Sequence, residues 1–424
     1  MTWFILELSN GTGPDAMPLC RFLFPLDDSA KLDAAMKALV LTEPKTDARF
    51  TEIESPSIAP GKVIVRLKAA SLNRRDYWIT QGLYPGIKTP CTLGSDGAGI
   101  IETLGEGVEK RSVGDEVVLY PGRDWGTNEA AQADDFAVLG MPDNGTFAQC
   151  VMVSQDQLFA KPQDLDWSET AALPVAGLTA FRSTMVQGRI QPGQRILITG
   201  IGGGVAVFAL QIAVAQRAQV IVTSSREEKI QAAKPLGAEA GYLYTDPTWN
   251  RTALKEHGPF DLIIDGAGGP GYGDLIALLK PGGRLVNYGS TAGRPESLDL
   301  FKVFWRQLSL IGSTLGSPRD FQAFLLFIEQ HGIRPVVDQC IPLSEGGQAI
   351  AAMQQASQFG KITLHMEESI LAPPQTCHLL PPQNETSGKG HRGIPRSQGL
   401  TVEIFRRSGI SAITNSFACK RLVG

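Results

Sequence analysis

The sequence between residues 195 and 211 reads Arg195-Ile-Leu-Ile-Thr-Gly-Ile-Gly-Gly-Gly-Val-Ala-Val-Phe-Ala-Leu-Gln211. Its first apolar residues are typical of a short strand buried on both faces, and the apolar residues after the glycines recur at helical spacing. Glycine between the two elements allows a tight turn and lets a pyrophosphate approach the positive end of the following helix. A second apolar segment, Val220-Ile-Val-Thr223, follows about 20 residues later, where a dinucleotide ribose is usually read. The pattern predicts a dinucleotide site, with a plain glycine-rich turn as the alternative.

The residues that follow the second segment indicate which dinucleotide binds. A site for NAD usually has Asp or Glu there to accept a hydrogen bond from the ribose 2′-hydroxyl, whereas this chain has Ser224, Ser225, Arg226 and then Lys229. Two hydroxyls and two cations suit a 2′-phosphate, which a carboxylate would repel. We therefore expect NADP(H) as the cofactor. The alternative is that Ser225 caps the next helix and that the two cations are solvated surface charges.

The composition is that of a globular protein with two or three domains. The chain has 424 residues, and its hydrophobic content of 43% is enough for buried cores. Its formal net charge of -4 and the lack of a nucleic-acid-binding motif predict no nucleic-acid partner. No apolar run has the length of a transmembrane helix, and the first residues lack the apolar core of a signal peptide. We therefore expect no membrane partner and a cytoplasmic location.

The cysteines and histidines favour neither disulfides nor zinc. The six cysteines lie far apart, without any C-x-x-C pair. None of the five histidines precedes His257, so the N-terminal half lacks the commonest metal ligand and the commonest general base. We expect free thiols and no metal site.

Patterns along the chain predict five segments. Residues 1–35 lack sustained periodicity and are not assigned, whereas 36–165 show short β segments between Gly and Pro turns. Residues 166–314 alternate strands with helices, which predicts right-handed crossovers and a parallel sheet covered on both faces. Residues 315–366 contain an apolar-faced helix and a last strand. Residues 367–424 are rich in polar residues and Pro without periodicity, which predicts a disordered extension.

Several motifs outside the glycine turn are shared with a known family. They are Leu72-Asn-Arg-Arg-Asp-Tyr-Trp78, Gly94-Ser-Asp-Gly-Ala-Gly99, Val113-Gly-Asp-Glu-Val117, Ala171-Ala-Leu-Pro-Val-Ala-Gly-Leu-Thr-Ala180, Leu236-Gly-Ala238, Lys280-Pro-Gly-Gly-Arg284 and Phe359-Gly-Lys361. With these motifs the chain resembles the medium-chain dehydrogenase/reductases over roughly residues 36–366. The resemblance implies an α/β fold in which a Rossmann domain, a doubly wound parallel sheet, is inserted in a β-rich GroES-like catalytic domain. It also implies an active site in the cleft between the two.

The resemblance departs from the zinc-dependent members of this family. Those members carry Cys at the position that looks like Asn73 and Gly-His-Glu where this chain has Gly94-Ser95-Asp96. They often carry a four-cysteine lobe in the region that resembles 120–145, which has no cysteine here. Cys91 and Cys150 cannot form either site without a histidine nearby. The chain therefore resembles the zinc-free, quinone oxidoreductase-like branch, also called zeta-crystallin-like or enoyl-reductase-like.

Without a metal, reduction of an enone or a quinone is the expected chemistry. Hydride from the nicotinamide pushes charge onto a conjugated oxygen, and hydrogen-bond donors can stabilise that charge without a Lewis acid. The predicted catalytic donors are Asn73, Tyr77 and Arg74, placed on a turn after the strand 62–67, with water returning the proton. Asp76 is interpreted as a group that orients Asn73 or Arg74. The alternatives are that Asn73 bonds its own backbone and that Tyr77 only lines the cleft.

The resemblance also implies the positions that hold the cofactor. Thr179 is expected near the nicotinamide ribose, and Lys361 is expected to reach a phosphate. The full predicted set is Thr179, Gly200, Gly203, Gly204, Val205, Ser224, Ser225, Arg226, Lys229, Gly289, Ser290, Ser313 and Lys361. Gly289, Ser290 and Ser313 are expected to border the nicotinamide, where open α/β sheets place ligands beyond the ends of the strands.

Together these features predict a zinc-independent, NADPH-dependent oxidoreductase that transfers hydride to a small-molecule quinone or α,β-unsaturated carbonyl compound. Family analogy implies a homodimer through the last strand of the parallel sheet. The alternatives are a zinc-type alcohol dehydrogenase with atypical ligands and an NADPH-binding protein without turnover. Ser95 and Asp96 look like relics of the ligand positions of the zinc-dependent members, and the favoured alternative is that they are ordinary turn residues.

Overall fold

The computed structural model describes residues 2–8, 20–26 and 35–366, with side chains from residue 35 onward. The predicted extension 367–424 lies outside the described residues. Among the described helices, none combines the length and the apolar character needed to cross a membrane.

The described residues belong to two units: residues 2–8 and 20–26 lie in the first, and residues 35–366 lie in the second. In the first unit, strands Thr2–Leu8 (β1) and Cys20–Leu26 (β2) pair in antiparallel fashion. Sequence periodicity did not predict these two strands, because their residues are mostly apolar in succession and do not alternate with polar ones.

The β-rich part of the second unit has three sheets. Its strands are Ala35–Leu41 (β3), Arg49–Glu54 (β4), Lys62–Ser71 (β5), Cys91–Thr92 (β6), Asp96–Leu104 (β7), Glu116–Leu119 (β8), Gly122–Arg123 (β9), Ala137–Val138 (β10), Cys150–Ser154 (β11), Leu158–Ala160 (β12), Val337–Pro342 (β19) and Lys361–His365 (β20). The largest sheet has the order β12-β8-β7-β5-β20-β19, and β11 also pairs with β5. The last described strand, β20, runs antiparallel to β5, so residues after the parallel sheet return to the largest sheet of the β-rich part.

The remaining strands form one parallel sheet of six strands. They are Arg195–Ile198 (β13), Gln219–Ser224 (β14), Ala238–Leu243 (β15), Phe260–Asp265 (β16), Leu279–Asn287 (β17) and Ser309–Gly312 (β18), in the order β15-β14-β13-β16-β17-β18. All five pairings in this sheet are parallel. The sequence did not single out β15, because this edge strand is mostly half-buried and carries little apolar pattern. The predicted fold class is confirmed, while the predicted domain boundaries at residues 165 and 314 stay predictions.

Helices pack on both faces of the parallel sheet. The helices are Arg74–Thr80 (α1), Trp167–Ala172 (α2), Pro174–Phe181 (α3), Gly204–Ala215 (α4), Glu227–Ala233 (α5), Trp249–His257 (α6), Tyr272–Leu278 (α7), Leu300–Trp305 (α8), Pro318–His331 (α9) and Gly346–Ala352 (α10). In β13, Ile196 and Ile198 lie in one hydrophobic cluster with α4 and α9. Leu197 lies in a second cluster with α6 and α7. Because successive side chains of a strand point to opposite faces, this strand is buried on both sides, as its composition predicts.

Candidate active site

A cleft of about 750 Å³ lies at the carboxyl ends of β13, β14 and β16. Its volume suits a small-molecule ligand. Ten of the predicted site residues line it: Asn73, Arg74, Gly200, Gly203, Gly204, Val205, Ser224, Ser225, Lys229 and Lys361. Tyr77, Thr179, Arg226, Gly289, Ser290 and Ser313 are not among the lining residues. A second cavity of about 920 Å³, in the β-rich part, touches none of the predicted residues.

The glycine turn presents open backbone to the cleft. Gly200 has φ +64°, a left-handed conformation that favours glycine. A Cβ at Gly203 would meet no atom closer than the Gly200 carbonyl oxygen at 3.9 Å, so the space above it is open. Helix α4 begins directly afterwards, at Gly204, and its first N–H groups have no intrahelical acceptor. A pyrophosphate could therefore reach the backbone and the positive end of α4.

Two cations meet at the end of β14. Lys229 Nζ donates to the carbonyl oxygen of Ala356 at 2.6 Å, and Arg226 Nη2 donates to that of Gln355 at 3.1 Å. Burial lowers the pKa of Lys229, and the neighbouring Arg226 lowers it further. Helix α5 has Arg226 at its N-cap position, so Ser225 is not the cap residue. The corner beside Ser225 therefore holds cations close together, which an anion would stabilise.

The residues predicted to border the nicotinamide form two groups. Thr179 lies on α3, and its carbonyl oxygen accepts a hydrogen bond from Ser183 Oγ at 2.6 Å. Ser183 follows α3, and its Oγ also lies 3.4 Å from Ser313 Oγ, in the residue after β18. Gly289 and Ser290 follow β17, and Ser290 is exposed. The cofactor roles of these four predicted residues stay predictions.

Of the three predicted catalytic donors, Asn73 lies in the connection after β5, as expected, whereas Arg74 and Tyr77 lie on a helix. Strand β5 extends to Ser71, Asn73 follows it, and Arg74 and Tyr77 are in α1. The helix forms there because Asp76 Oδ2 accepts a hydrogen bond from the Asn73 backbone N–H at 2.7 Å and places a carboxylate in the first turn. Tyr77 is buried in a hydrophobic cluster, with the Arg74 guanidinium carbon 5.6 Å from the centre of its ring.

Asp76 carries a buried oxygen without a partner. Oδ1 has no hydrogen-bond partner among the described residues. Burial raises the pKa of Asp76 to about 6, although the Arg75 guanidinium and the Asn73 N–H lower it. Desolvation therefore outweighs the nearby positive charge at this carboxyl group.

Asn73, Asp96 and Lys361 form a buried cluster beside the cleft. Asp96 Oδ2 accepts from Asn73 Nδ2 at 2.8 Å, from Lys361 Nζ at 3.0 Å and from Ser71 Oγ at 2.8 Å. Asp96 Oδ1 accepts from the backbone N–H of Val175 at 2.8 Å. The expectation that Asp96 is an ordinary turn residue is wrong, since it begins β7 with no exposed surface.

Lys361 uses all three of its N–H groups inside the protein. Nζ donates to the carbonyl oxygen of Leu72 at 2.6 Å, to Asn73 Oδ1 at 2.8 Å and to Asp96 Oδ2 at 3.0 Å. To reach a phosphate, Lys361 would have to give up one of these bonds. Its contact with the cofactor stays a prediction.

A third buried carboxylate, Asp265, which the sequence analysis did not single out, connects the strand ends. Asp265 accepts from Thr199 Oγ1 at 2.6 Å, from the Gly268 N–H at 2.8 Å and from Asn287 Nδ2 at 3.0 Å. It thereby connects the ends of β13, β16 and β17. The available signal was an acid directly after the apolar run Leu262-Ile-Ile.

Comparison with known proteins supports this geometry. Two family models match the chain, the alcohol dehydrogenase GroES-like domain over residues 59–163 and the zinc-binding dehydrogenase over 204–330. A zinc-type alcohol dehydrogenase-like protein, YogA of Leptosphaeria maculans, is 33% identical over 74% of this chain and 93% of its own length. The chain belongs to the medium-chain dehydrogenase/reductase superfamily. It is therefore an oxidoreductase of a superfamily that binds nicotinamide cofactors.

Two further members of the superfamily extend the comparison. The acryloyl-coenzyme A reductase of Sulfurisphaera tokodaii is 28% identical over 77% of this chain and 99% of its own length. A crystal structure of an NAD-dependent alcohol dehydrogenase has a TM-score of 0.74 and 33% identity, and the match covers 78% of this chain and 100% of that one.

Zinc, which the names of two matches imply, does not fit the residues at this position of the superfamily fold. The oxygens of Asp96 accept four hydrogen bonds, and one of these comes from the Lys361 ammonium, which lies where a metal cation would have to bind Asp96. Burial and, to a lesser extent, the nearby Asp143 carboxylate raise the pKa of the Cys91 thiol to about 11. Within the described part of the chain, no three His, Cys, Asp or Glu side chains come together as a metal site.

Proposed function

We propose that the protein is a zinc-independent, NADPH-dependent reductase of quinones or α,β-unsaturated carbonyl compounds. The observation that carries the proposal is the Asn73–Asp96–Lys361 cluster, in which an ammonium and an amide stand beside a carboxylate at the edge of the cleft. Hydrogen-bond donors suffice to stabilise charge on a conjugated oxygen, whereas an alkoxide from a simple alcohol usually needs a Lewis acid.

The reaction balances without any further reductant. NADPH, if bound, would supply hydride to the β carbon of the acceptor. The C=C electron pair would then form a double bond between the α carbon and the carbonyl carbon, and the C=O π pair would move onto the oxygen. Asn73 lines the cleft and donates to that oxygen, and a proton from water completes the reduction at the α carbon. One unsaturated carbonyl compound, one NADPH and one proton give the saturated compound and NADP⁺.

The preference for NADPH rests on the corner at the end of β14. Ser224, Ser225 and Lys229 line the cleft there, and Arg226 lies beside them. Lys229 and Arg226 are held by backbone carbonyl oxygens, which leaves each cation with further N–H groups for a phosphate.

The name of one relative fits the proposed substrate class. Acryloyl-coenzyme A, named for the reductase of Sulfurisphaera tokodaii, is an α,β-unsaturated thioester. Two other names favour a second candidate, a zinc-type alcohol dehydrogenase, since they are a zinc-type dehydrogenase-like protein and an NAD-dependent alcohol dehydrogenase.

One experiment separates the candidates. The purified full chain is treated with chelator, its zinc content is measured, and NADPH oxidation is followed with crotonyl-CoA, methyl vinyl ketone and a benzoquinone. We expect turnover of at least one acceptor that does not change on zinc removal, and weak activity with NADH. Stoichiometric zinc with alcohol oxidation that chelation abolishes would instead establish the alcohol dehydrogenase. Tight NADPH binding without any turnover would leave a cofactor-binding protein.

We also propose a homodimer that joins through β18. This strand is the edge of the six-stranded sheet, and no other strand pairs with its outer side within the described residues. The adjacent helix α8 exposes Phe301, Phe304 and Trp305, an apolar patch of the kind that partners cover. Light scattering should give twice the chain mass, and Phe304→Lys together with Trp305→Lys should give the monomer.

A further inference from the structure

The Asn73 amide has only one possible orientation in its cluster. Lys361 carries donors alone and an ionised Asp96 carries acceptors alone, so Oδ1 must face the ammonium and Nδ2 must face the carboxylate. Reversing the amide would place two donors against each other and two acceptors against each other. The charges on both sides therefore hold the side chain in one rotamer.

This orientation leaves one amide hydrogen for the cleft. Nδ2 carries two N–H groups, and only the one directed to Asp96 has an acceptor within residues 35–366. Asn73 lines the cleft and is 7% exposed, whereas Asp96 is fully buried. The free N–H is thus the part of the cluster that a ligand can contact.

The ammonium also makes that N–H a stronger donor. A positive charge beside the amide oxygen draws electron density from the amide nitrogen. Hydrogen bonds in series also polarise one another at low dielectric. Lys361 Nζ lies 2.8 Å from Asn73 Oδ1 and is 3% exposed, so water screens its charge little. An oxygen that becomes negative during reaction would gain from this polarisation more than a neutral carbonyl does.

We propose that Lys361, paired with Asp96, is a positioning residue that takes over the electrostatic role of a metal by orienting and polarising Asn73 as the donor to the acceptor's carbonyl oxygen. This inference rests on the proposed function. It assigns Lys361 to the acceptor side of the reaction and not to a cofactor phosphate, since its three N–H groups already have internal acceptors.

The decisive variant removes both charges together, because a single change would leave the other charge buried and unpaired. Asp96→Asn with Lys361→Met should stay folded and bind NADPH within threefold of the parent. With the best acceptor of the panel, kcat should fall about 10²-fold, the usual loss when one oxyanion donor is removed. The matched control is Arg182→Met with Asp320→Asn, which neutralises a buried ion pair elsewhere and should keep kcat within threefold.

A double-mutant cycle tests whether Lys361 acts through Asn73. If it does, Asn73→Ala should lower kcat about as much as the charge-free variant, and the combination should lower it no further. A folded charge-free variant with parental kcat would overturn the inference, and so would fully additive losses.

A binding measurement keeps the inference testable if the parent reduces nothing. p-Nitrophenol changes its absorbance when it ionises, so its anion can be followed directly in the presence of NADP⁺. We expect the parent to bind the anion at least tenfold more tightly than the charge-free variant. Equal affinity, or no binding to either protein, contradicts the inference. An inactive parent that shows the tenfold difference contradicts only the proposed reaction.

Discussion

Two lysines flank the glycine turn, and their surroundings differ sharply. A Cβ at Gly202 would lie 2.6 Å from Lys229 Cδ, and one at Gly204 would lie 2.7 Å from Lys361 Cδ. Both lysines are almost fully buried, at 8% and 3% exposure. Lys361 has a carboxylate, an amide oxygen and a carbonyl oxygen as acceptors, whereas the described hydrogen bond of Lys229 goes to one carbonyl oxygen.

The difference shows that burial alone does not assign a role to a lysine. Lys361 is electrostatically complete, so its charge is available only through the groups it holds. Lys229 has a lowered pKa from burial and from Arg226, and an arriving anion would raise it again. A satisfied buried cation supports structure and local potential, whereas an unsatisfied one is poised for a ligand.

The largest expected effect separates the two lysines by stability. Lys361→Met leaves Asp96 buried without its cation and should lower the free energy of unfolding by about 3–5 kcal/mol. Lys229→Met removes no carboxylate partner and should change it by less than about 1 kcal/mol. Denaturant unfolding of the two variants beside the parent measures both values. Equal losses in the free energy of unfolding would show that the contribution of each lysine depends on its burial and not on a carboxylate partner.

Asp76 tests the same idea with a carboxylate in place of a lysine. Its folded pKa of about 6 lies above the ordinary pKa of 3.8 for an aspartate, so the folded state holds the proton more tightly. Stability should therefore fall as the pH rises from about 4 to about 6, by about 3 kcal/mol in total. Asp76→Asn should remove this part of the pH dependence, as melting temperatures at pH 4.5, 5.5 and 7 would show. A parent and variant with parallel pH profiles would contradict the raised pKa.

Gly203 lies between the two lysines and tests the open space of the turn. Gly203→Val keeps an allowed backbone conformation and places methyl groups where a pyrophosphate would lie. NADPH affinity should fall about 30-fold or more while the melting temperature stays close to that of the parent. Gly283→Ala, in β17 and not among the cleft-lining residues or their neighbours, is the matched control and should bind normally. Calorimetric titration measures both, and normal binding by the Gly203 variant would place the pyrophosphate elsewhere.

The smallest expected effect concerns the 2′-phosphate. Lys229→Ala should weaken NADPH binding about tenfold and NADH binding less than threefold, because only NADPH carries the extra anion. Arg226→Ala should act in the same direction. Fluorescence titration with both cofactors gives the ratio. If the affinities for NADPH and NADH fall by the same factor, the two cations stabilise the turn 353–356 and do not select the cofactor.

Local patterns predicted much of the fold. Three neighbouring patterns indicated the parallel sheet: the apolar strand before the glycine turn, the helix after it and the next apolar segment. Each pattern depends only on residues that are close in sequence. They also predicted Ser224, Ser225 and Lys229, which do line the cleft, since these follow directly on a recognisable strand. The same reasoning missed β15 and the helix that carries Arg74, where short elements show little periodicity.

Local patterns in the sequence were sufficient to predict the parallel sheet and the glycine turn, because strand alternation, helical spacing and backbone freedom at glycine are local properties. The superfamily was indicated by the resemblance of the shared motifs. Only the tertiary structure brought Asn73, Asp96 and Lys361 within hydrogen-bond distance. These three residues come from separate segments, and β20 reaches them by pairing with β5. Whether a buried charge is satisfied depends on such long-range neighbours, so local sequence could not show that Asp96 is the buried partner of Lys361.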